Sequence, residues 1–154
     1  MRDAYQRNLV DLVTRSSSKL AQAEEARKII HAFFRQSVNM IPHYEKRHKG
    51  GEDAYVSNER LIVVADGVGG WSEVGVDPGL FSKQLVKDIE AQFNKNPKGS
   101  LKEMLVEAVK VNKHIGSSTA VLATMDVTDG SVVLRTTNLG DSGYVIFRAP
   151  SLGS

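Results

Sequence analysis

A carboxylate followed by glycines, at residues 66–70, is the part of this sequence best suited to chemistry. An apolar run of strand-forming residues, 61–65, stops at Asp66, and three of the next four residues are glycine. A buried strand can hold Asp66 rigidly, while the glycines allow a metal ion or a phosphate to come close to the backbone. The alternative is a plain strand and glycine turn with Asp66 as its cap. The choice between a functional site and a structural turn therefore depends on the other residues.

Two further acids are expected beside Asp66. Glu52 and Asp53 introduce a strand, 53–57, which turns and returns as 60–65. In an antiparallel hairpin the start of the first strand lies beside the end of the second, so the three carboxylates should converge. Such carboxylates repel one another unless they are protonated or bridged by cations, and Mg²⁺ and Mn²⁺ prefer oxygen ligands. The sequence therefore predicts a divalent-metal site.

Other kinds of site are excluded by residue type and spacing. The chain has no cysteine, which removes disulfides, thiolate zinc sites and thiol nucleophiles. His31, His43 and His48 lack the spacing of zinc ligands, so a zinc site is rejected. The glycines after Asp66 match neither a dinucleotide-binding motif nor a P-loop, because the third glycine and the lysine are missing.

Composition and charge restrict the function classes further. With 154 residues, 41% hydrophobic and 25% charged, the chain fits one globular domain. The net charge is only +2, but residues 1–49 carry ten Lys/Arg against five Asp/Glu. Basic and aromatic residues do not alternate as a nucleic-acid groove requires, and no apolar run approaches the roughly 20 residues of a membrane-spanning helix. We expect a soluble, intracellular protein that binds no nucleic acid.

The order of predicted elements indicates an α+β fold. Residues 2–36 favour helix, with a break near 16–18, Ser18 as an N-cap and Phe33 and Phe34 on an apolar stripe. A short strand at 37–41 and a basic loop at 43–49 precede the hairpin. Asp77 and Pro78 begin a helix to about Asn94, and Ser100 caps a second one to about Lys113. The helix residues expected to face the core are Leu80, Phe81, Leu85, Ile89, Phe93, Leu105, Ala108, Val109 and Val111.

Strands are predicted again after the helices, at 117–125, 131–137 and 144–148, with a turn at 128–130 between the first two. Strands, two helices and strands again favour mostly antiparallel pairing over alternating parallel units.

Four motifs follow one another between residues 50 and 148. They are Gly-Gly-Glu-Asp-Ala at 50–54, Val-Ala-Asp-Gly-Val-Gly-Gly-Trp at 64–71, Gly-Ser-Ser-Thr-Ala at 116–120 and Asn-Leu-Gly-Asp-Ser-Gly at 138–143. In this order they resemble the first motifs of the metal-dependent type 2C protein serine/threonine phosphatases. The Asp-Gly-Val-Gly-Gly-Trp variant is most similar to the mitochondrial and plastid subfamily.

This resemblance implies an α-β-β-α sandwich, antiparallel sheets flanked by helix pairs, with two Mg²⁺ or Mn²⁺ ions at one end. Asp66 would bridge the ions, Gly67 would offer its carbonyl, and Glu52 and Asp53 would bind metal directly or through water. Asp141 matches the position that holds a weaker third ion in some members. A water acidified by two cations about 3.5–4 Å apart would then attack phosphorus in line. Asp66 and Asp53 are accordingly the candidate catalytic residues.

The resemblance also suggests how phosphate would be bound. Many relatives have an arginine four residues before the matching glutamate, where this chain has His48 between Arg47 and Lys49. These three are the candidate phosphate-binding residues, with no choice among them. Val68 stands where many relatives have a histidine. From their residue types, the Ser117 and Ser118 hydroxyls should satisfy backbone groups, and Trp71 should pack beside the site.

The family's further aspartate motifs lie downstream, and the sequence ends at Ser154 before them. We therefore expect residues 1–36 to be a helical extension and 37–154 the N-terminal part of a phosphatase domain, a sandwich truncated at its C-terminal side. One hypothesis is a phosphatase acting on phosphoproteins. The other is a noncatalytic pseudophosphatase or assembly subunit of a protein complex. By resemblance the compartment is the mitochondrion, and otherwise the cytoplasm.

Overall fold

The computed structural model describes residues 15–17, 19 and 32–148. They fall into two compact units, one made of residues 33–126 with 133–148, the other of the described parts of 1–32 with 127–132. The first unit contains the core and all the candidate site residues.

Four strands form one antiparallel sheet in the order β1-β2-β3-β4. Their bounds are Asp53–Ser57, Leu61–Asp66, Ala120–Thr128 and Ser131–Leu139. The predicted hairpin is confirmed, since Asp53 pairs with Asp66 and Tyr55 with Val64. Strand β2 then pairs with β3, with Val64 opposite Val121.

Two helices follow the first hairpin, α1 at Pro78–Lys95 and α2 at Leu101–Val111. Both predicted caps are confirmed. The Asp77 side chain accepts from the Gly79 N–H at 3.0 Å, and the Ser100 hydroxyl accepts from the Glu103 N–H at 3.3 Å. Each cap satisfies one of the N–H groups that a helix start leaves unpaired.

The helices cover one face of the sheet. Alternate residues of β2, namely Leu61, Val63 and Ala65, are fully buried, and they pack with side chains of α1, α2 and β3 in one core. On the opposite face Tyr55 and Val64 are about half exposed. The fold class is thus confirmed as α+β, with one antiparallel sheet and one helix layer.

Three of the predicted core positions are wrong. Leu80, Val109 and Val111 are each more than 40% exposed. The buried stripe of α2 consists of Leu101, Met104, Leu105 and Ala108, the i, i+3, i+4, i+7 pattern of one helix face, and Val109 lies one residue beyond it. The exposed side of α2 instead borders a groove of about 570 Å³, which is lined by Lys102, Leu105, Val106, Val109, Lys110 and residues 137–139.

Two predicted strands are absent. Residues 37–41 and 144–148 have no regular structure. Both segments have the composition of strands, but composition supplies no partner, and a strand needs a neighbour for its backbone hydrogen bonds. Along 144–148 the apolar side chains are exposed, and Phe147 is 90% exposed.

The N-terminal helix prediction is only partly covered. Arg15–Ser17 and Lys19 are helical, where a break was expected. Residues 32–36 are not helical, so Phe33 and Phe34 do not continue a helix; the Phe34 N–H donates to the Glu59 carbonyl at 2.9 Å. The remaining part of the predicted helix, with the Ser18 cap, lies outside the described residues.

The basic loop at 43–49 contains a short 3₁₀ helix, Tyr44–Lys49, closed by Gly50 in the left-handed conformation. A second 3₁₀ helix, Gly69–Val74, follows the first glycines. In the second unit, Asp129 and Gly130 both have positive φ, as a two-residue hairpin turn requires, which confirms the turn predicted at 128–130. None of the helices in the described ranges is long and apolar enough to cross a membrane.

Candidate functional site

Two aspartates lie directly opposite each other at the end of the first hairpin. Asp53 pairs with Asp66 across β1 and β2. The next pair, Glu52 and Gly67, is the hydrogen-bonded one, since the Gly67 N–H donates to the Glu52 carbonyl at 3.2 Å. Hydrogen-bonded and non-hydrogen-bonded pairs alternate, so Asp53 and Asp66 form the narrow kind, in which side chains are closest. The hairpin thus holds two carboxylates against each other.

The closeness of the two aspartates affects the pKa of Asp53. Burial raises the pKa of Asp53 above its ordinary range, and the charge of Asp66 and a hydrogen bond to it raise it further. Glu52 acts in the same direction, while Lys46 lowers the pKa of Asp53. Two carboxylates in directly opposed positions are stable together only when they share a proton or a cation.

Glu52 lies close enough to Asp53 to raise its pKa, but its carboxylate is turned to other partners of the chain. Its side chain is only 7% exposed and forms an ion pair with Lys46. Its other oxygen accepts from the Ser72 hydroxyl at 3.3 Å and lies 3.8 Å from the Lys49 ammonium. Glu52 lies just before β1, so the direction of its side chain is set by these partners and not by strand alternation. Within the described ranges, no group of three or more acids and histidines is arranged to hold a metal.

Gly67 is enclosed by backbone. A Cβ at this position would lie 2.7 Å from the Glu52 carbonyl oxygen and 2.9 Å from that of Pro78. Among the described residues, none donates a hydrogen bond to the Gly67 carbonyl. Glycine is therefore needed for the strand end to meet the start of α1, and it leaves a carbonyl oxygen free next to Asp66.

The hydroxyls of 117–119 satisfy neighbouring groups; that of Ser118 meets backbone, as predicted, whereas that of Ser117 meets a side chain. Ser118 donates to the Asp66 carbonyl at 2.9 Å, and the Thr119 hydroxyl accepts from the Asp66 N–H at 3.2 Å. Trp71 donates its indole N–H to the Ser117 hydroxyl at 2.8 Å. These contacts fix the Asp66 backbone and join the glycine segment to the residues just before β3.

The three predicted phosphate-binding residues all lie on the first 3₁₀ helix, but in different settings. The Lys49 ammonium lies 3.4 Å from Asp77 as well as near Glu52. Arg47 and His48 are exposed. Within the described ranges no side-chain hydrogen bond or ion pair engages Arg47 or His48, so both can reach a ligand.

Asp141 lies on a turn that contacts the site through its neighbour. Its own side chain is exposed. The Ser142 hydroxyl lies 2.7 Å from the Thr119 hydroxyl, which in turn contacts the Asp66 N–H. Gly140 has a positive φ and packs against Thr119 so closely that a Cβ would lie 2.9 Å from its methyl group.

Sequence reasoning missed Lys46, Ser72 and Thr119. The basic run 46–49 was a signal that a cation lies near Glu52, but it did not indicate which one. The turn geometry of the 3₁₀ helix selects Lys46. Thr119 belongs to the motif at 116–120, but only the bridge between Gly67 and Ser118 brings it to Asp66.

The residues present fit a divalent cation in part. The opposed carboxylates of Asp53 and Asp66 and the free carbonyl of Gly67 are oxygen donors of the kind that Mg²⁺ and Mn²⁺ bind. Glu52 does not fit as a direct ligand, because both of its oxygens have partners in the protein.

Comparisons with known proteins identify the family. A probable protein phosphatase 2C of Arabidopsis thaliana, number 55, is 39% identical over 112 residues, 70% of this chain. The protein phosphatase PTC7 homolog of Xenopus laevis is 41% identical over 113 residues, 64% of this chain. The chain belongs to the type 2C protein phosphatase family. The identification made from the four motifs is therefore confirmed.

A solved structure supports the same family. The photosystem II phosphatase PBCP superposes with a TM-score of 0.58 and 32% sequence identity over 67% of this type 2C phosphatase chain. The match covers 41% of that structure. The chain spans 23% of the Arabidopsis relative and 36% of the Xenopus relative. No family model matches the chain.

Proposed function

We propose that this chain carries the carboxylate end of a metal-dependent protein serine/threonine phosphatase site. The observation that carries the proposal is the opposed pair of Asp53 and Asp66, followed by the free carbonyl of Gly67. Surface carboxylates that only form ion pairs would not be placed side by side, because two like charges repel each other. Membership of the type 2C phosphatases supports the same chemistry.

The aspartates and Gly67 would hold Mg²⁺ or Mn²⁺, with Asp66 at the centre because it lies between Asp53 and Gly67. When bound, such an ion supplies positive charge that acidifies a water and neutralises phosphoryl oxygens. The chain's own part is to fix the geometry. Ser118 and Thr119 hold the Asp66 backbone, and the β1–β2 pairing holds Asp53 against it. Asp141 remains a proposed outer ligand, on the turn that contacts Thr119.

The substrate proposed is a phosphoserine or phosphothreonine side chain of a protein. Arg47 and His48 are exposed on the 3₁₀ helix next to Glu52 and can contact its phosphate or nearby acidic groups. Lys49 contributes less, because it already faces Asp77 and Glu52. We prefer Arg47, whose guanidinium is always charged and binds phosphate in a bidentate manner.

The proposal is tested by phosphate release from a phosphothreonine peptide with Mn²⁺, using the full 154-residue chain. Asp66→Asn should lower the rate by at least about 100-fold, because it removes the charge that a cation requires. Asp129→Asn is the matched control, since it makes the same change in the hairpin turn, where asparagine also tolerates a positive φ.

Two results would contradict the proposal. Activity that survives Asp66→Asn would show that the reaction does not use this carboxylate. A folded wild-type chain that binds Mn²⁺ but releases no phosphate would instead support the noncatalytic assembly role.

A further inference from the structure

Glu52 is a buried carboxylate whose partners all come from the chain itself. Its side chain is 7% exposed, Lys46 contacts one oxygen, and Ser72 contacts the other at 3.3 Å. A second ammonium, that of Lys49, lies 3.8 Å away. A buried carboxylate is stable only when it has polar partners, and these contacts supply them.

The backbone around Glu52 is built to bring Lys46 to it. The Lys46 carbonyl accepts from the Gly51 N–H at 3.1 Å, so Lys46 contacts the residue before Glu52 through its backbone and Glu52 itself through its side chain. Gly51 has a φ of 79°, and a Cβ there would lie 3.0 Å from Pro42. This tight turn fixes the distance between the 3₁₀ helix and the start of β1.

The glycine segment makes room for the same ion pair. A Cβ at Gly69 would lie 3.1 Å from both the Lys46 ammonium and the nearer Glu52 oxygen. Gly70, one residue later, has nothing within 4 Å of its Cβ position. The Lys46–Glu52 pair is therefore enclosed between the 3₁₀ helix, β1 and the segment that follows Asp66.

We propose that Lys46 is a positioning residue that serves as an internal counter-ion for Glu52. A divalent cation can bind Glu52 only by displacing the Lys46 ammonium. The ammonium and the cation compete because both bind the same carboxylate oxygen of Glu52, the residue that precedes Asp53. Lys46 thereby restricts direct cation binding to the Asp53–Asp66 pair and sets the affinity of the site. This inference rests on the proposed function only in requiring that a divalent cation bind at this centre.

The test compares Lys46→Met, Lys46→Arg and the control Lys87→Met, which removes a lysine from the exposed side of α1. Thermal unfolding is measured in EDTA, and Mn²⁺ binding is measured by calorimetry. Lys46→Met should lower the Tm in EDTA by about 5 °C, because it removes the nearest ammonium from a buried carboxylate. It should also tighten Mn²⁺ binding by about tenfold, a change of about 1.4 kcal/mol.

Lys46→Arg should restore the Tm, and Lys87→Met should leave both quantities as in the wild type. Should Lys46→Met not fold, Lys46→Met combined with Glu52→Gln should fold, because the buried carboxylate is gone. A merely structural lysine would change the Tm without tightening Mn²⁺ binding, and this outcome overturns the proposal. Equal Tm values in EDTA for Lys46→Met and the wild type overturn it as well.

These outcomes are separate from those of the phosphatase test. Tighter Mn²⁺ binding by Lys46→Met, in a chain that releases no phosphate, supports the counter-ion and contradicts only the catalytic proposal. Absence of Mn²⁺ binding in the wild type and in Lys46→Met contradicts both.

Discussion

At the scale of single residues, the site depends on which side chains are turned towards each other. Asp53 and Asp66 face each other because they occupy a narrow antiparallel pair, while Glu52 is turned inward to Lys46. Gly67 follows Asp66 and is enclosed by the backbone of Glu52 and Pro78. The positions of Glu52, Asp53, Asp66 and Gly67 along the hairpin were predictable from the sequence pattern. The direction of the Glu52 side chain was not, because it depends on Lys46, which lies in another element.

Gly67→Ala should destabilise the protein by about 1–3 kcal/mol, since the new Cβ would press on the carbonyls of Glu52 and Pro78. Urea unfolding in EDTA measures the effect. Gly70→Ala is the matched control, because its Cβ would meet open space. Equal stabilities for the two variants would mean that the close packing at Gly67 is not real.

At the scale of elements, caps and turns decide where the site-bearing segments begin and end. Asp77 starts α1 directly behind Gly67, and its carboxylate also lies 3.4 Å from the Lys49 ammonium. The start of α1 and the first 3₁₀ helix are thus joined through one residue. Local signals of this kind were read correctly from the sequence: both caps, the first hairpin and the turn at 128–130.

Asp77→Ala should lower the free energy of unfolding by about 1 kcal/mol, because α1 loses its N-cap. Asp77→Asn keeps a capping oxygen and should remain within about 0.5 kcal/mol of the wild type. Helix content by circular dichroism and urea unfolding distinguish the two. If Asp77→Asn costs as much as Asp77→Ala, the ion pair with Lys49 matters more than the cap.

The errors at this scale share one cause. Residues 37–41 and 144–148 were predicted as strands from composition, and Val109 and Val111 were predicted as core from helical spacing. Whether a strand pairs or a helix face is covered depends on distant segments, which a local pattern does not contain. The same reasoning explains why Thr119, far from Asp66 in sequence, was missed.

At the scale of the whole molecule, one face of the sheet is covered by helices and the other leaves Tyr55 and Val64 half exposed. The aspartate pair lies at the end of this second face, since Asp53, Tyr55 and Ser57 alternate along β1. The fold class was predictable from the order of strands and helices. The pairing of Asp53 with Asp66 connects the stability of the whole fold to pH.

Asp53 binds its proton more tightly in the folded than in the unfolded chain, mainly because of burial and then because of Asp66. Its stabilising contribution is therefore present below its unfolded pKa, about 3.9, and is lost as pH rises through the raised folded pKa. In EDTA, Asp53→Asn should become more stable relative to the wild type as pH increases across this window. Urea unfolding at several pH values measures the difference.

Asp66→Asn should weaken the same pH dependence, because it removes the charge that most raises the pKa of Asp53. A wild-type chain and an Asp53→Asn variant whose stability difference is constant with pH would contradict the coupling of the two aspartates.

The contact at Gly69 has a consequence for how this sequence can change over generations. A side chain at position 69 would meet both members of the Lys46–Glu52 pair. A larger residue at position 69 can be accommodated only after Lys46 has been replaced by a residue with a shorter side chain. The order of the two substitutions therefore matters. In an alignment of descendants of this sequence, positions 46 and 69 should vary together, with a side chain at 69 only where 46 no longer carries a long cation.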